Sequence, residues 1–261
     1  MAQKRRKKTK NSFRFVWLLL AMAIVALAIG IWTIHEKHKM QLAEAAIYKA
    51  FGIDMPRDFS IHGIDVSAHQ NTIAWKKVKA MNINHIRIHF AILKATEGLG
   101  NTDKKYTINR LQAKQNGLVV GAYHFFLCTK SGAIQARNFI ANARLGSGDL
   151  PPVVDIEQLY GVPPETMRKR LKECLTTLET HYKTKPILYT YVDFYEKYLQ
   201  TEFADYPLWI AHYLEPNQPR IAKPWLFWQH SERGHINGIT TYVDCNVFNG
   251  DLSDFQEILL P

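Results

Sequence analysis

The sequence predicts an α/β protein, a TIM-like (β/α) barrel of about five β/α units followed by three helix-poor strands, preceded by one transmembrane helix. Two observations support this fold class. Eight short apolar runs follow residue 60, and helix-like runs separate the earlier ones. Several of the apolar runs are nearly continuous, as in parallel strands covered by helices. An uncharged run of 20 residues, 15–34, comes before them and is long enough to span a bilayer.

Basic residues are concentrated at the N-terminus. The formal net charge is +10, but residues 1–14 carry seven Lys and Arg and no acid, which leaves +3 for the rest of the chain. The basic balance therefore describes a cytoplasmic tail, and no nucleic-acid partner is predicted. By the positive-inside rule, we expect a single-pass protein of the cell membrane with residues 35–261 in the periplasm or outside the cell.

The apolar run at 15–34 is predicted to be an uncleaved anchor. It is longer than the core of a cleaved signal peptide, and the small-residue triplet Ala21–Ala23 lies inside it rather than after it. Trp17 and Trp32 lie near its two ends, where indole rings favour the membrane interface. A cleaved signal peptide and a buried soluble helix are the alternatives. Residues 35–60 are predicted to form a helical stalk and linker.

The predicted barrel occupies residues 61–261. After residue 213 the connections are too short or too polar for full helices, and three prolines lie between residues 214 and 224. The predicted strands are Ile61–Ser67, Phe90–Ala95, Leu118–Phe126, Pro152–Glu157, Pro186–Tyr191, Leu208–Tyr213, Leu226–His230 and Val243–Phe248. The predicted helices are Ile73–Met81, Lys104–Asn116, Ala133–Leu145 and Pro164–His181.

Several classes of site are disfavoured by the sequence. The motifs of zinc proteases, phosphate-binding loops and serine esterases are missing from it, so no metal and no cofactor is predicted. Its three cysteines, Cys128, Cys174 and Cys245, have no metal-like spacing. They form either one disulfide and a free thiol or three buried thiols.

Acidic side chains recur where the predicted strands end, which is where barrel enzymes have their active sites. Asp155 and Glu157 are two residues apart on one strand and therefore project from the same face. Close to a low-dielectric core, one of the two should have a raised pKa and hold a proton near neutral pH. A carboxylic acid beside a carboxylate is what glycoside hydrolysis requires. Asp65 and Asp244 end or begin other strands and extend the cluster, although paired surface acids are the alternative explanation.

Further residues at the same strand ends are predicted to bind substrate. Glu97 binds substrate or orients the neighbouring acids rather than serving as a second catalytic acid. One of Tyr123 and His124 must face the core, because neighbours on a strand point in opposite directions. Trp209 and Trp228 either line the cleft or belong to the core. The full predicted binding set is Glu97, Tyr123, His124, Tyr189, Trp209, Trp228 and Gln229.

At these positions the sequence resembles glycoside hydrolase family 25, the Chalaropsis-type lysozymes or N-acetylmuramidases. The resemblance runs from Gly63 to Asp251, and its stretches occur in the family's order. Each stretch is weak by itself, but seven in order are specific. They are Gly63–Ser67, Phe90–Gly98, Gly121–Phe125, Pro151–Glu157, Leu208–Ala211, Trp228–Gln229 and Val243–Phe248.

The resemblance implies hydrolysis of the β-1,4 bond between N-acetylmuramic acid and N-acetylglucosamine in peptidoglycan. By matching position it makes Glu157 the general acid and gives Asp155 a supporting role at the reacting centre. Asp65 and Asp244 would stabilise positive charge on the sugar or position water. A non-catalytic peptidoglycan-binding barrel, or a glycosidase acting on another extracellular glycan, are the competing functions.

Overall fold

The computed structural model describes the chain from Lys8 to Pro261, with side chains from Arg14 onward. Of the predicted basic tail, residues 1–14, the first seven residues lie outside the described part of the chain. The chain divides into two compact units, one ending at Ala46 and the other comprising Ile47–Pro261.

The first unit is helical. Helix α1 (Lys8–Phe51) is continuous over 44 residues and continues into the second unit. Its stretch from Arg14 has a mean hydropathy of 2.6 over its most apolar window and is long enough to cross a membrane. The apolar side chains of residues 15–34 are exposed in the chain itself. This length and composition fit a membrane anchor or a signal sequence.

The second unit is built on a barrel of eight strands with two short strands beside it. The described strands are β1 (His62–Val66), β2 (Asn82–Ile83), β3 (Ile86–Glu97), β4 (Asn101–Thr102), β5 (Val119–Phe125), β6 (Val153–Asp155), β7 (Ile187–Tyr191), β8 (Leu208–Ala211), β9 (Phe227–Gly234) and β10 (Val243–Phe248). Strand β1 pairs with both β3 and β10, which closes the barrel. The predicted fold class is confirmed.

The direction of the last strand decides where its side chains lie. Barrel neighbours from β1 through β3 and β5 to β9 are parallel, whereas β10 runs antiparallel to both β9 and β1. The beginning of β10 therefore lies at the same end of the barrel as the carboxyl ends of the other strands. This register pairs Asp65 with Asp244.

Helices cover the first half of the barrel more fully than the second. They are α2 (Trp75–Ala80), α3 (Tyr106–Gln115), α4 (Gly132–Ala143), α5 (Pro164–Tyr182), the short α6 (Val192–Phe194), which leads into a π-helical turn at Tyr195–Leu199, and α7 (Leu252–Glu257). The predicted change to a helix-poor second half is confirmed. Strand β9 continues to Gly234, beyond its predicted end at His230, because it pairs with β10.

The inside of the barrel is apolar at the end opposite the carboxylates. Phe90, Phe227 and Phe248 face inward there, and Phe255 of α7 contacts all three rings at centroid distances of 5.1 to 6.5 Å. Each such buried ring contributes roughly 1.5–3 kcal/mol of hydrophobic stabilisation. Gly63 is required beside Phe90, because a Cβ at this position would overlap the ring. Helix α7 therefore covers this end of the barrel, and the carboxylates lie at the opposite end.

The barrel unit begins before the predicted boundary at residue 61. Ile47 and Phe51, one helical turn apart, are 5% and 0% exposed and belong to the core outside the barrel. Gly52 ends α1 with φ +70°, a left-handed conformation that favours glycine, and its N–H donates to the Tyr48 carbonyl at 2.8 Å. All three cysteines are buried free thiols, which decides between the two predicted states.

Candidate active site

The open end of the barrel brings the predicted acids together. Asp65 and Asp155 lie in the last two residues of β1 and β6, and Glu157 follows β6 by two residues. Asp244 lies at the start of the reversed strand β10. These four residues form what we call the acidic cleft. Glu97, the last residue of β3, lies beside it.

Asp65 is held by two amide side chains. The Gln229 Nε2 and Asn246 Nδ2 groups both donate to Asp65 Oδ2, at 2.9 and 2.7 Å. Two donors on one oxygen favour the ionised form of the carboxyl. Burial works the other way and is the larger effect, so the pKa of Asp65 is raised.

A second layer of donors orients both amides. The hydroxyls of Tyr189 and Tyr213 donate to Gln229 Oε1 at 2.8 and 2.6 Å. Trp209 Nε1 donates to Asn246 Oδ1 at 2.8 Å. Because each amide oxygen is occupied by a donor, each amide nitrogen must face Asp65.

Asp244 is the protonated member of the pair that it forms with Asp65. Burial, together with the neighbouring charge of Asp65, raises the pKa of Asp244 to about 9. At neutral pH Asp244 therefore carries a proton, and a hydrogen bond between the two side chains raises the pKa of Asp244 further.

The pKa values of Asp155 and Glu157 are also raised. Burial raises the pKa of Asp155 well above its usual range, and repulsion from Glu157 and Asp65 adds to this. Burial likewise raises the pKa of Glu157, which is less buried, while the nearby Tyr189 hydroxyl opposes the shift. Because the two carboxylates repel each other, ionisation of one disfavours ionisation of the other.

Lys94 places a positive charge beside these acids. Its Nζ lies 2.6 Å from Glu97 Oε2 and 4.7 Å from the centre of the Phe125 ring. The ammonium group lowers the pKa of both Asp155 and Glu157, although burial outweighs it. Lys94 therefore limits how far these two pKa values rise.

The predicted binding residues divide according to which way they face. Tyr123 shares the inward face and is partly exposed. Tyr189, Trp209 and Gln229 also face inward, but they are only 7%, 1% and 2% exposed. They lie beneath the acidic cleft and position Asp65, so their contribution is through that residue rather than through exposed surface.

The assignment of His124 and Trp228 to sugar binding is wrong. Both side chains are fully buried on the outer side of the barrel wall. His124 Nδ1 lies 2.7 Å from the Thr96 hydroxyl, and its Nε2 lies 3.1 Å from Gln135 Oε1. Trp228 Nε1 donates to the His212 carbonyl at 2.8 Å. Strand alternation turned these two residues away from the cleft that their neighbours face.

Three residues of this site were missed in the sequence. Asn246 is two residues from Asp244 on the same strand, so alternation would have placed it on the same face. Lys94 is four residues after Phe90 on β3, an even interval, so alternation would likewise have placed it on the inward face. Tyr213 follows β8, and no local pattern links it to Gln229.

The arrangement supplies acid and base groups without any further ligand. Asp244 holds a proton near neutral pH, the pKa values of Asp155 and Glu157 are raised, and two amides help to ionise Asp65 beside them. Such a set can donate a proton to a leaving oxygen and stabilise positive charge at the adjoining carbon. Within the part of the chain that the structure describes, no group of three or more His, Cys, Asp or Glu is placed to hold a metal ion.

Comparison with known proteins gives consistent results. The model of glycosyl hydrolases family 25 matches residues 64–239. "Uncharacterized protein YegX" of Escherichia coli K12 is 40% identical over 208 residues, which cover 80% of this chain and 76% of that protein. Lysozyme M1 of Streptomyces globisporus is 33% identical over 211 residues, covering 75% of this chain and 70% of the lysozyme.

A solved structure has the same fold. The family 25 glycosyl hydrolase from Bacillus anthracis superposes with a TM-score of 0.71 at 32% identity, covering 78% of this chain and 95% of that one. The family match includes Asp65, Asp155 and Glu157. The chain therefore belongs to glycosyl hydrolase family 25 and is a glycoside hydrolase.

Proposed function

We propose that the chain is a membrane-anchored N-acetylmuramidase. It hydrolyses peptidoglycan at the β-1,4 bond between N-acetylmuramic acid and N-acetylglucosamine. The observation that carries this proposal is the acidic cleft at the open end of a family 25 barrel, with raised pKa values at all four acids. The similarity to a protein named lysozyme supports the choice of polymer.

Glu157 is the general acid in this proposal. Burial raises its pKa, which favours the protonated form that a general acid needs, and it is more exposed than Asp155. A partly exposed acid can reach the glycosidic oxygen of a bound strand, whereas Asp155 is only 6% exposed. Protonation of that oxygen allows the bond to break as positive charge develops on the sugar.

Asp155 and Asp65 assist from beneath the reacting sugar. Asp155 supports the reacting centre by orienting the acetamido group of the substrate. Asp65, fixed by Gln229 and Asn246, presents a carboxylate of defined orientation toward developing positive charge. Asp244 shares its proton with Asp65 and helps to position the attacking water.

The apolar part of α1 is proposed to be a single-pass anchor. We expect the N-terminus in the cytoplasm and the barrel in the periplasm or outside the cell, facing the wall. The length and hydropathy of the helix support this arrangement. Fractionation of the native host, with protease added to intact cells or spheroplasts, tests it: the barrel should be membrane-bound and cleaved from outside. Recovery in the medium would contradict anchoring.

The activity is tested on purified peptidoglycan with the full chain in detergent. The wild type, Glu157→Gln and the matched control Glu257→Gln, an exposed residue of α7, are incubated with the polymer. New reducing ends are identified by mass spectrometry. We expect reducing N-acetylmuramic acid from the wild type and the control, and a loss of roughly 10²–10⁴-fold in the Glu157 variant.

Two results would overturn this assignment. Fragments ending in reducing N-acetylglucosamine would show that the enzyme cleaves the other glycosidic bond of the glycan strand. Binding to the wall without cleavage by any of the three proteins would identify a non-catalytic barrel.

A further inference from the structure

A second depression lies beside the acidic cleft, on the side of β8, β9 and β10. It has a volume of about 590 Å³. One wall is formed by residues 48–56, the last turn of α1 and the segment after it, which we call the docked segment. Arg233 and Tyr242 lie on the opposite wall. The docked segment precedes the family match, which begins at residue 64.

The depression contains a stack of planar groups that begins at the docked segment. The His235 ring lies against Gly52, where a Cβ would overlap it. The other partner of His235 is Tyr242, at a ring-centroid distance of 5.2 Å and an interplanar angle of 25°. The guanidinium of Arg233 lies 5.6 Å from the centre of the Tyr242 ring. The docked segment thus positions the His235 ring, which stacks on the Tyr242 ring that Arg233 contacts.

Arg233 is available to a ligand. It is exposed, and among the described residues it has no ion-pair partner. Two acids line the depression. Glu215 is engaged by Arg220 at 2.7 Å and by His212 at 3.2 Å, and Asp54 of the docked segment forms no ion pair with Arg233. A guanidinium that is held by stacking and lacks an acid is suited to bind a carboxylate through two parallel hydrogen bonds.

Three chain segments connect this depression to the acidic cleft. Ser231 and Arg233 follow Gln229 at intervals of two residues along β9. Tyr242 precedes Asp244 by two residues, and the loop after Tyr213 forms another edge. At about 3.3 Å per residue, the four residues from Gln229 to Arg233 cover roughly 13 Å. An extended peptide of about four residues covers the same distance.

We propose that Arg233 binds a carboxylate of the peptide stem that N-acetylmuramic acid carries. This inference rests on the proposed muramidase function and adds a recognition site for the peptide part of the same substrate. The cleft has four acidic groups and disfavours a further negative charge. Arg233 offers a complementary charge, without an ion-pair partner among the described residues, at a distance that a stem attached to the bound sugar can reach.

The test compares three soluble glycan oligomers: one with intact stems, one whose stems have been removed by an amidase, and one whose stem carboxylates have been amidated. The full-length wild type in detergent should cleave the first about tenfold faster, in kcat/KM, than the other two. Arg233→Gln should abolish this preference and leave the rate on stripped oligomers unchanged. Arg137→Gln, which removes an exposed charge on α4, should behave as wild type.

Gly52→Ala tests the docked segment. The added methyl group displaces the His235 ring, so the preference should fall with little change in the rate on stripped oligomers. A wild type that cleaves stripped and intact oligomers equally, or an Arg233 variant that keeps the preference, overturns the inference and leaves the muramidase function intact. A wild type that cleaves none of the oligomers overturns both.

Discussion

Asp65 and Asp244 lie directly opposite each other on the antiparallel pair formed by β1 and β10. At the open end of the barrel Asp65 is buried and Asp244 is half-buried. The pKa of Asp244 is raised to about 9, so this carboxyl keeps its proton at neutral pH. One proton shared between two acids explains how four carboxyls occupy one small region without repelling one another fully.

The stability of the chain should depend on the protonation of Asp244. Its folded pKa is above its unfolded value of about 3.9, so between these pH values the folded state holds a proton that the unfolded state has lost. Stability contributed by this group is therefore present below about pH 4 and is lost as pH rises toward about 9. Asp244→Asn removes this dependence.

The measurement is the melting temperature of Asp244→Asn minus that of wild type. This difference should grow by about 5 °C or more between pH 5 and pH 8. Asp193→Asn, an exposed residue after β7, provides the control, for which a constant difference is expected. A constant difference for Asp244→Asn as well would contradict the shared proton.

Removal of Asn246 should affect both stability and the acid side of the pH–rate profile. Asn246→Ala deletes a donor to Asp65 and leaves Trp209 Nε1 without its acceptor. We expect a loss of about 1–3 kcal/mol in urea unfolding. The pKa of Asp65 rises further without this donor, so activity should begin to fall at a higher pH on acidification. Asn237→Ala, an exposed position, is the control.

Lys94 should set the upper pH limit of activity. Lys94→Met removes a positive charge that lowers the pKa of Asp155 and Glu157. Both acids then hold their protons to higher pH, and the alkaline limb of the kcat/KM profile should move upward. Lys76→Met, an exposed lysine on α2, should leave the profile in place. A downward movement in the Lys94 variant would refute this role.

Two adjacent residues on β5 should give opposite phenotypes. Tyr123 faces the cleft, so Tyr123→Phe should lower kcat/KM by about tenfold with little change in melting temperature. His124 bonds to Thr96 and Gln135 in the outer layer, so His124→Ala should cost about 1–3 kcal/mol of stability while the folded enzyme keeps its kcat/KM within about twofold. If the His124 variant lost activity without losing stability, His124 would contribute to substrate binding as the sequence predicted.

Local patterns in the sequence were sufficient to predict much of this molecule. An uncharged run of helical length predicts α1, since a helix satisfies its own backbone hydrogen bonds. The change to prolines and short connections after residue 213 predicted the helix-poor second half. Alternation along the predicted strand Pro152–Glu157 put Asp155 and Glu157 on one face, although β6 ends at Asp155 and Glu157 follows it. These features depend on neighbours within a few residues.

Other features depended on contacts between distant parts of the chain. The amides that orient Asp65 come from residues 164 and 181 positions away, and only closure of the barrel brings them to it. The alternation rule showed that Tyr123 and His124 point apart, but only packing decided that Tyr123 faces the cleft. Ile47 and Phe51 form an apolar stripe that any surface could have covered, and the tertiary structure alone made it part of the barrel unit. Long-range pairing and burial have no signature in local sequence, because they are set by which surfaces meet when the chain closes on itself.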